Sequence, residues 1–236
     1  MSERLIITID GPAASGKSTA ARELARRLGL RSLNTGQMYR AVAALALERG
    51  IDPAREPELV ERLAEDTAMR VDFARIPPRL HASIAGQEER ELTDLLSAEA
   101  VGEYASRIAE YPGVRRALVR AQRDIGLSHP RLVSEGRDQG TVVFPDADVK
   151  FFLDASVEVR AQRRVREMLG RGVDCDPVQV AAAIAQRDQR DRQRVHGRLE
   201  AATDAIVVHA DGLDVEGVAD FMQRQVEEKV RPRMPR

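Results

Sequence analysis

The chain has 236 residues, 43% of them apolar and 32% charged, with a formal net charge of −1. This length suits one α/β domain with small insertions, and so neutral a balance gives no reason to expect a nucleic-acid polymer or an anionic membrane as partner. No segment reaches the roughly 18–20 apolar residues of a membrane span, and the single cysteine, Cys175, fits a reducing cytoplasm.

The first strand, Leu5 to Ile9, follows so closely on the N-terminus that no signal peptide is expected. It breaks into Asp10-Gly11-Pro12-Ala13-Ala14-Ser15-Gly16-Lys17-Ser18-Thr19 and then into a helical pattern. Gly11, four residues, then Gly16-Lys17-Ser18 is the full phosphate-loop spacing, in the strand–loop–helix setting that the motif requires. N–H groups at the start of the new helix favour an anion. Gly11 and Gly16 admit dihedrals that a Cβ obstructs. Lys17 offers a point charge for the β- and γ-phosphates, and the Ser18 hydroxyl can join a Mg²⁺ coordination shell. Only three lysines, Lys17, Lys150 and Lys229, stand among 37 basic residues, so a lysine here suggests a site-specific need. The stretch reads as a nucleoside triphosphate site.

Ser18 to Leu28 reads as a helix with Ala21, Leu24, Ala25 and Leu28 on one face, Arg22, Arg26 and Arg27 solvated on the other, and Gly29 as its stop. An extended piece, Arg31 to Leu33, leads to Asn34-Thr35-Gly36-Gln37-Met38-Tyr39-Arg40, where Thr35 can cap a helix running to Gly50. Two readings of Arg40 stay open there, an exposed helix residue or a substrate ligand. A helix from Asp52 to Arg70 and two short strands, Met69–Phe73 and Leu80–Ile84, suggest a small antiparallel insertion, too polar for a buried parallel sheet. Helices then read over Ala98–Glu110, stopped by Pro112-Gly113, and over Val114–Ile125.

Leu132–Ser134 and Asp148–Leu153 are apolar strands whose C-terminal ends carry Glu135-Gly136-Arg137-Asp138 and Asp154. That pattern suits the ligand-binding carboxyl edge of an open parallel sheet. Ser156 caps a helix, a loop covers Gly170–Pro177, and a long helix runs from about Pro177 to His196. Ala205–Val208 is the last strand, Val215–Val230 the closing helix, and Arg231–Arg236 reads as frayed. The order predicts a doubly wound α/β fold with a parallel sheet.

Residues 160–198 hold ten arginines against five acids. Arg187, Arg190, Asp191 and Arg194 recur at i, i+3, i+4 and i+7, on one helix face. Such a run is either a solvated, ion-paired face or a set of guanidinium groups held over phosphates, as phosphoryl transfer requires. With a phosphate loop in the same chain, the second reading is favoured.

Together, the phosphate loop, Thr35–Arg40, Glu135-Gly136-Arg137-Asp138-Gln139-Gly140-Thr141-Val142-Val143-Phe144-Pro145 and Arg187-Asp188-Gln189-Arg190-Asp191 resemble the bacterial cytidylate kinases, nearly end to end. Leu95-Leu96, Gly197-Arg198-Leu199 and His209-Ala210-Asp211 depart from that pattern. The resemblance implies a P-loop kinase moving the ATP γ-phosphoryl group to CMP or dCMP with Mg²⁺. ATP would meet Gly11 to Thr19. CMP would meet Thr35, Arg40, Ser106, Arg115, Arg137, Asp138, Arg187, Asp191 and Arg194. Arg40 and Arg137 would take the α-phosphate; Thr35, Arg115, Asp138 and Arg194 the cytosine; Ser106, Arg187 and Asp191 the sugar. Lys17, Arg137, Asp138 and the lid arginine Arg163 would act in catalysis, and Ser18 on the metal. It also implies a core of about 1–33, 97–158 and 178–236, a monophosphate-binding region of about 34–96 and a lid of about 159–177, in a cytoplasmic monomer. The main alternative is a kinase for another nucleoside monophosphate or small acceptor. A GTPase switch would want an Asn-Lys-x-Asp run, which the sequence lacks.

Overall fold

The computed structural model describes residues 4–230, so the Arg231–Arg236 tail lies outside the described residues. In chain order the elements are β1 (Leu5–Asp10), α1 (Lys17–Leu28), β2 (Arg31–Asn34), α2 (Thr35–Glu48), α3 (Pro57–Asp66), β3 (Thr67–Asp72), β4 (Arg79–Ile84) and β5 (Arg90–Glu91). A 3₁₀ turn over Thr93–Ser97 follows, then α4 (Glu99–Ile108), α5 (Pro112–Ser128) and β6 (Arg131–Gly136). A π-helical turn over Gln139–Val143 precedes β7 (Val149–Asp154), α6 (Val157–Gly170), α7 (Pro177–Gln193), β8 (Ile206–His209) and α8 (Val215–Val230). The chain divides into two compact units, one of residues 1–31 and 131–236, the other of 32–130.

The first unit carries the parallel strands β6-β1-β7-β8, in that order across the sheet. β1 pairs in parallel with β6 (Leu5 opposite Arg131, Asp10 opposite Gly136) and with β7, and β7 pairs in parallel with β8. Every residue of β1 is buried, as expected of a central parallel strand covered on both faces. Leu5, Ile7 and Ile9 join Val133, Phe151, Leu153 and Val208 in a core closed by Leu24 of α1 and Val218, Met222 and Val226 of α8. Each such side chain contributes about 1.5–3 kcal/mol of transfer free energy. On the other face Thr8 and Asp10 lie against Gly140 of the π-helical turn. This is the doubly wound, parallel α/β class that the sequence predicts.

The second unit packs α2 against α4 and α3 against α5, beside an antiparallel sheet β3-β4-β5. Met38, Val42 and Leu45 of α2, Leu96, Val101 and Ile108 around α4, and Val114 and Leu118 of α5 are buried. The small antiparallel insertion is therefore present, with a third strand that two polar residues, Arg90-Glu91, do not advertise.

Several local expectations need correction. Thr35 is the first residue of α2, not its cap; Asn34 precedes it in extended conformation, without a side-chain capping bond. α3 stops at Asp66 because Thr67–Asp72 pairs with Arg79–Ile84 across its full length. Pro112 and Gly113 open α5 instead of separating two helices; proline suits a first turn, where its missing N–H has no partner to lose. α7 ends at Gln193, and Arg194 has left the helix (φ −54, ψ 139). Arg27 is not solvated: Glu23 on its own helix and Glu216 and Asp220 on α8 surround it. The Ser156 cap does form, accepting from Val159 N at 3.4 Å.

Candidate active site

In the first unit, β1 delivers Asp10 to the sheet's carboxyl edge and the chain turns at once. A Cβ on Gly11 would stand 2.1 Å from the Leu153 carbonyl oxygen, so only glycine lets the loop leave between β1 and β7. Gly16 caps α1 in the left-handed region (φ 98, ψ 5) without any side-chain bond. No acidic residue occupies the first turn of α1, so its dipole and unfilled N–H groups are left to an outside anion.

Lys17 is 4% exposed. Its Nζ donates to Pro12 O at 2.6 Å and to Ser15 Oγ at 3.3 Å. Burial and the neighbouring Arg137 lower its pKa to about 7, against the pull of Glu135 and Asp10, and Arg187 lowers it further. Burial raises Asp10 to about 7, although its carboxylate accepts from Gly140 N and Gln139 N, both at 2.8 Å. The lysine is thus crowded by cations, and a polyanion beside it would restore its charge. Ser18 Oγ donates to Glu135 Oε1 at 2.6 Å, which sets a hydroxyl and a carboxylate side by side at the start of α1.

β6 ends at Gly136, and Arg137 and Asp138 follow at once. Arg137 Nε donates to Asp191 Oδ2 at 2.9 Å, and Arg194 Nη2 lies 2.6 Å from Asp191 Oδ1. Burial pushes the Asp191 carboxyl up, yet Arg137, Arg194 and Arg187 outweigh it and hold the group below its ordinary value. Asp138 is buried directly before the π-helical turn. So Arg137, Asp191 and Arg194 form one cluster, even though Arg194 lies beyond the helix that was to carry it. Arg163 faces main chain: it donates to Ser15 O at 2.9 Å, to Ala210 O at 2.9 Å and to Leu213 O at 3.3 Å.

In the second unit, Thr35 is buried at the start of α2. Arg40 Nη1 donates to Leu96 O at 2.7 Å, and its Nη2 lies 2.8 Å from where a Cβ on Gly102 would stand. Arg40 is therefore not a free surface residue; it lies flat on α4, where glycine makes room. Ser106 is buried on α4. Arg115, buried on α5, donates to Tyr39 Oη at 3.4 Å.

Sequence reasoning gave no role to four residues of the first unit. Glu135 and Asp10 stand at strand ends beside glycines, which was the available signal. Arg160 and Asp188 were hidden in the arginine-rich segment, where a buried arginine looks like its solvated neighbours. Among the described residues, no group of three or more His, Cys, Asp or Glu could hold a metal by itself, and no helix is long and apolar enough to cross a membrane.

A family model described as cytidylate kinase matches residues 7–228. A cytidylate kinase of Bordetella bronchiseptica is 44% identical over 220 residues, 92% of this chain and 94% of the relative. One from Brucella abortus is 43% identical over 211 residues, 89% of this chain and 87% of the relative. A solved structure of an uncharacterized protein from Eubacterium ventriosum shares the fold at a TM-score of 0.52 and 11% identity, covering 96% of this chain and 99% of that one. With a phosphate loop, an arginine–aspartate cluster and a matching model over nearly its whole length, the chain belongs to the cytidylate kinase family.

Proposed function

We propose that this kinase moves the γ-phosphoryl group of ATP to CMP or dCMP, using Gly11 to Thr19 for the donor. The observation that carries the reading is the phosphate loop: an α1 that starts at Gly16 with no side-chain cap and no acid in its first turn, with Lys17 buried against Pro12 O. An acceptor phosphate oxygen is already ionised, so attack on the γ-phosphorus needs no obligatory base. A P–O bond forms to the acceptor as the bond to the β–γ bridging oxygen breaks, and ADP leaves. Catalysis is then positioning and charge neutralisation. Lys17 follows the transferring group, the loop N–H groups hold the β-phosphate, and Arg137 with Arg40 takes the acceptor's α-phosphate.

Cytosine offers a 4-amino donor and N3 and O2 acceptors. We assign Asp138, Arg115, Arg194 and Thr35 to it, and Ser106, Arg187 and Asp191 to the sugar. A buried partner left unpaired by uracil would cost about 1–3 kcal/mol. Residues of about 34–96 serve as the acceptor-binding region, and about 159–177, with Arg163, as a lid that excludes water.

Ser18 Oγ beside the Glu135 carboxylate is a hard oxygen pair of the kind Mg²⁺ uses together with substrate phosphates. Ser18 and Glu135 would hold the ion, which when bound neutralises charge on the β- and γ-phosphate oxygens. We infer a cytoplasmic monomer acting on free nucleotides: the single cysteine fits a reducing compartment, and a net charge of −1 gives a nucleic-acid polymer or an anionic membrane little to hold. The test is an ADP-release assay with CMP, dCMP, UMP, AMP and GMP offered separately. CMP and dCMP should give the fastest turnover; release with UMP or AMP but not CMP would overturn the assignment.

A further inference from the structure

Arg160, near the start of α6, is 2% exposed, and Asp188, in the middle of α7, is also 2% exposed. The guanidinium uses three nitrogens on three different pieces of chain. Nε donates to Ala155 O at 2.8 Å, Nη1 to Ala13 O at 3.1 Å, and Nη2 lies 2.6 Å from Asp188 Oδ2. Ala13 is inside the phosphate loop. In a trans peptide the C=O and the following N–H point in opposite directions, so holding the Ala13 oxygen toward α6 turns the Ala14 N–H away from it. Arg163 does the same two residues later, through Ser15 O. The backbone that bends to allow this is costly, because Ala14 sits at φ 59, a region L side chains rarely adopt.

At its other end the pair reaches the acceptor motif. Asp188 lies beside Arg187 and three residues before Asp191, which grips Arg137 and Arg194. The negative charge of Asp188 also helps hold the Arg137 guanidinium in its charged form. Asp188 Oδ1 is buried and accepts no hydrogen bond among the described residues, so this ion pair is not optimised for stability. A buried pair of this kind is often no more stabilising than apolar residues of the same volume, and a broken local rule beside a site points to use in the site.

We propose that the Arg160–Asp188 pair is a positioning device that couples occupancy of the phosphate loop to the acceptor-side arginines on and beyond α7. The inference rests on the donor and acceptor assignment above. A triphosphate that orders the Ala13–Ala14 peptide fixes Arg160, Arg160 fixes Asp188, and Asp188 sets the turn of α7 that bears Arg187 and Asp191. Binding of the two nucleotides is then mutually reinforcing, by the same factor in either order.

Titration calorimetry tests this on the whole chain, with the Kd of CMP measured with and without saturating non-hydrolysable ATP analogue and Mg²⁺. The wild type should bind CMP at least about 5-fold tighter with the analogue present. Asp188→Asn, which keeps the shape and removes the charge, should bring that ratio close to one, while Arg160→Lys should keep part of it. A role confined to folding would lower Tm and weaken each nucleotide alone, yet leave the ratio unchanged. An unchanged ratio in Asp188→Asn, or a wild-type ratio near one, overturns the coupling. If Asp188→Asn does not fold, the wild-type and Arg160→Lys ratios decide; a full wild-type ratio in Arg160→Lys also counts against it. Failure of the wild type to bind CMP at all, with the analogue still binding, would instead overturn the acceptor assignment, and the coupling with it.

Discussion

Near the phosphate loop, charged side chains are buried against fixed partners, whereas on the small antiparallel sheet they are exposed and pair with one another at the surface. Lys17, Asp10, Arg160, Asp188 and Asp191 are all nearly inaccessible. Arg70–Glu89 and Arg79–Glu91 of the β3–β5 sheet have side chains between 37% and 53% exposed. A charge taken out of water costs several kcal/mol and persists only where geometry and partners offset that cost. An exposed pair costs little and contributes about 0–1 kcal/mol. One kind of charge is therefore tied to chemistry and the other to solubility and edge protection, although both look alike as letters. Charged side chains on an edge strand such as β5 also discourage pairing with another chain.

The comparison can be broken most severely at Lys17. Lys17→Met should lower kcat by about 10²–10³-fold in the ADP-release assay, as expected for loss of a fixed donor to the transferring charge. Without ligands the same variant should be more stable than the wild type at pH 6, by an amount on the order of 2 kcal/mol. The sign follows from the depressed pKa. Between about 7 in the fold and 10.5 in the unfolded chain, the unfolded state holds the extra proton, so wild-type stability rises with pH through that window. The variant lacks that rise, and its advantage in urea melts should shrink toward pH 10.

A smaller effect is expected at Asp138. Asp138→Ala should reduce the preference for CMP over UMP by about 10-fold or more, measured as the ratio of kcat/KM values. An unchanged ratio would separate this buried carboxylate from cytosine recognition. Arg187→Ala should alter the ratio of CMP to dCMP turnover by a few-fold, with a weaker effect on the base preference. Least of all should change at Arg70→Ala, whose loss should shift stability by no more than about 1 kcal/mol and leave kcat and KM alone. A large kinetic effect there would erase the distinction between the two kinds of charge.

Much of the first unit was legible because its signals are local. The Leu5–Ile9 run, the Gly11–Ser18 spacing and the stop at Gly29 each act within a few residues. The class of fold followed from strands and helices alternating along the chain. Boundaries set by distant partners were misread. α3 yields to β3 at Thr67 because β4 pairs there, and Pro112 opens a helix although it also follows one. The π-helical turn at Gln139–Val143 had no sequence signal. It exists because the two oxygens of Asp10, 129 and 130 residues away, accept its first N–H groups, and because Gly140 leaves room against Thr8.

The phosphate loop, the parallel α/β class and the family were determined by the sequence itself, since they depend on spacing, backbone freedom and hydrophobic period. Which of the many arginines are buried, and what each one holds, was decided only by the tertiary structure. Arg27, Arg160 and Arg163 are chemically identical to the solvated arginines around them. What separates them is that Arg160 and Arg163 meet loop carbonyls and all but Arg163 a carboxylate, supplied by segments as much as 193 residues away.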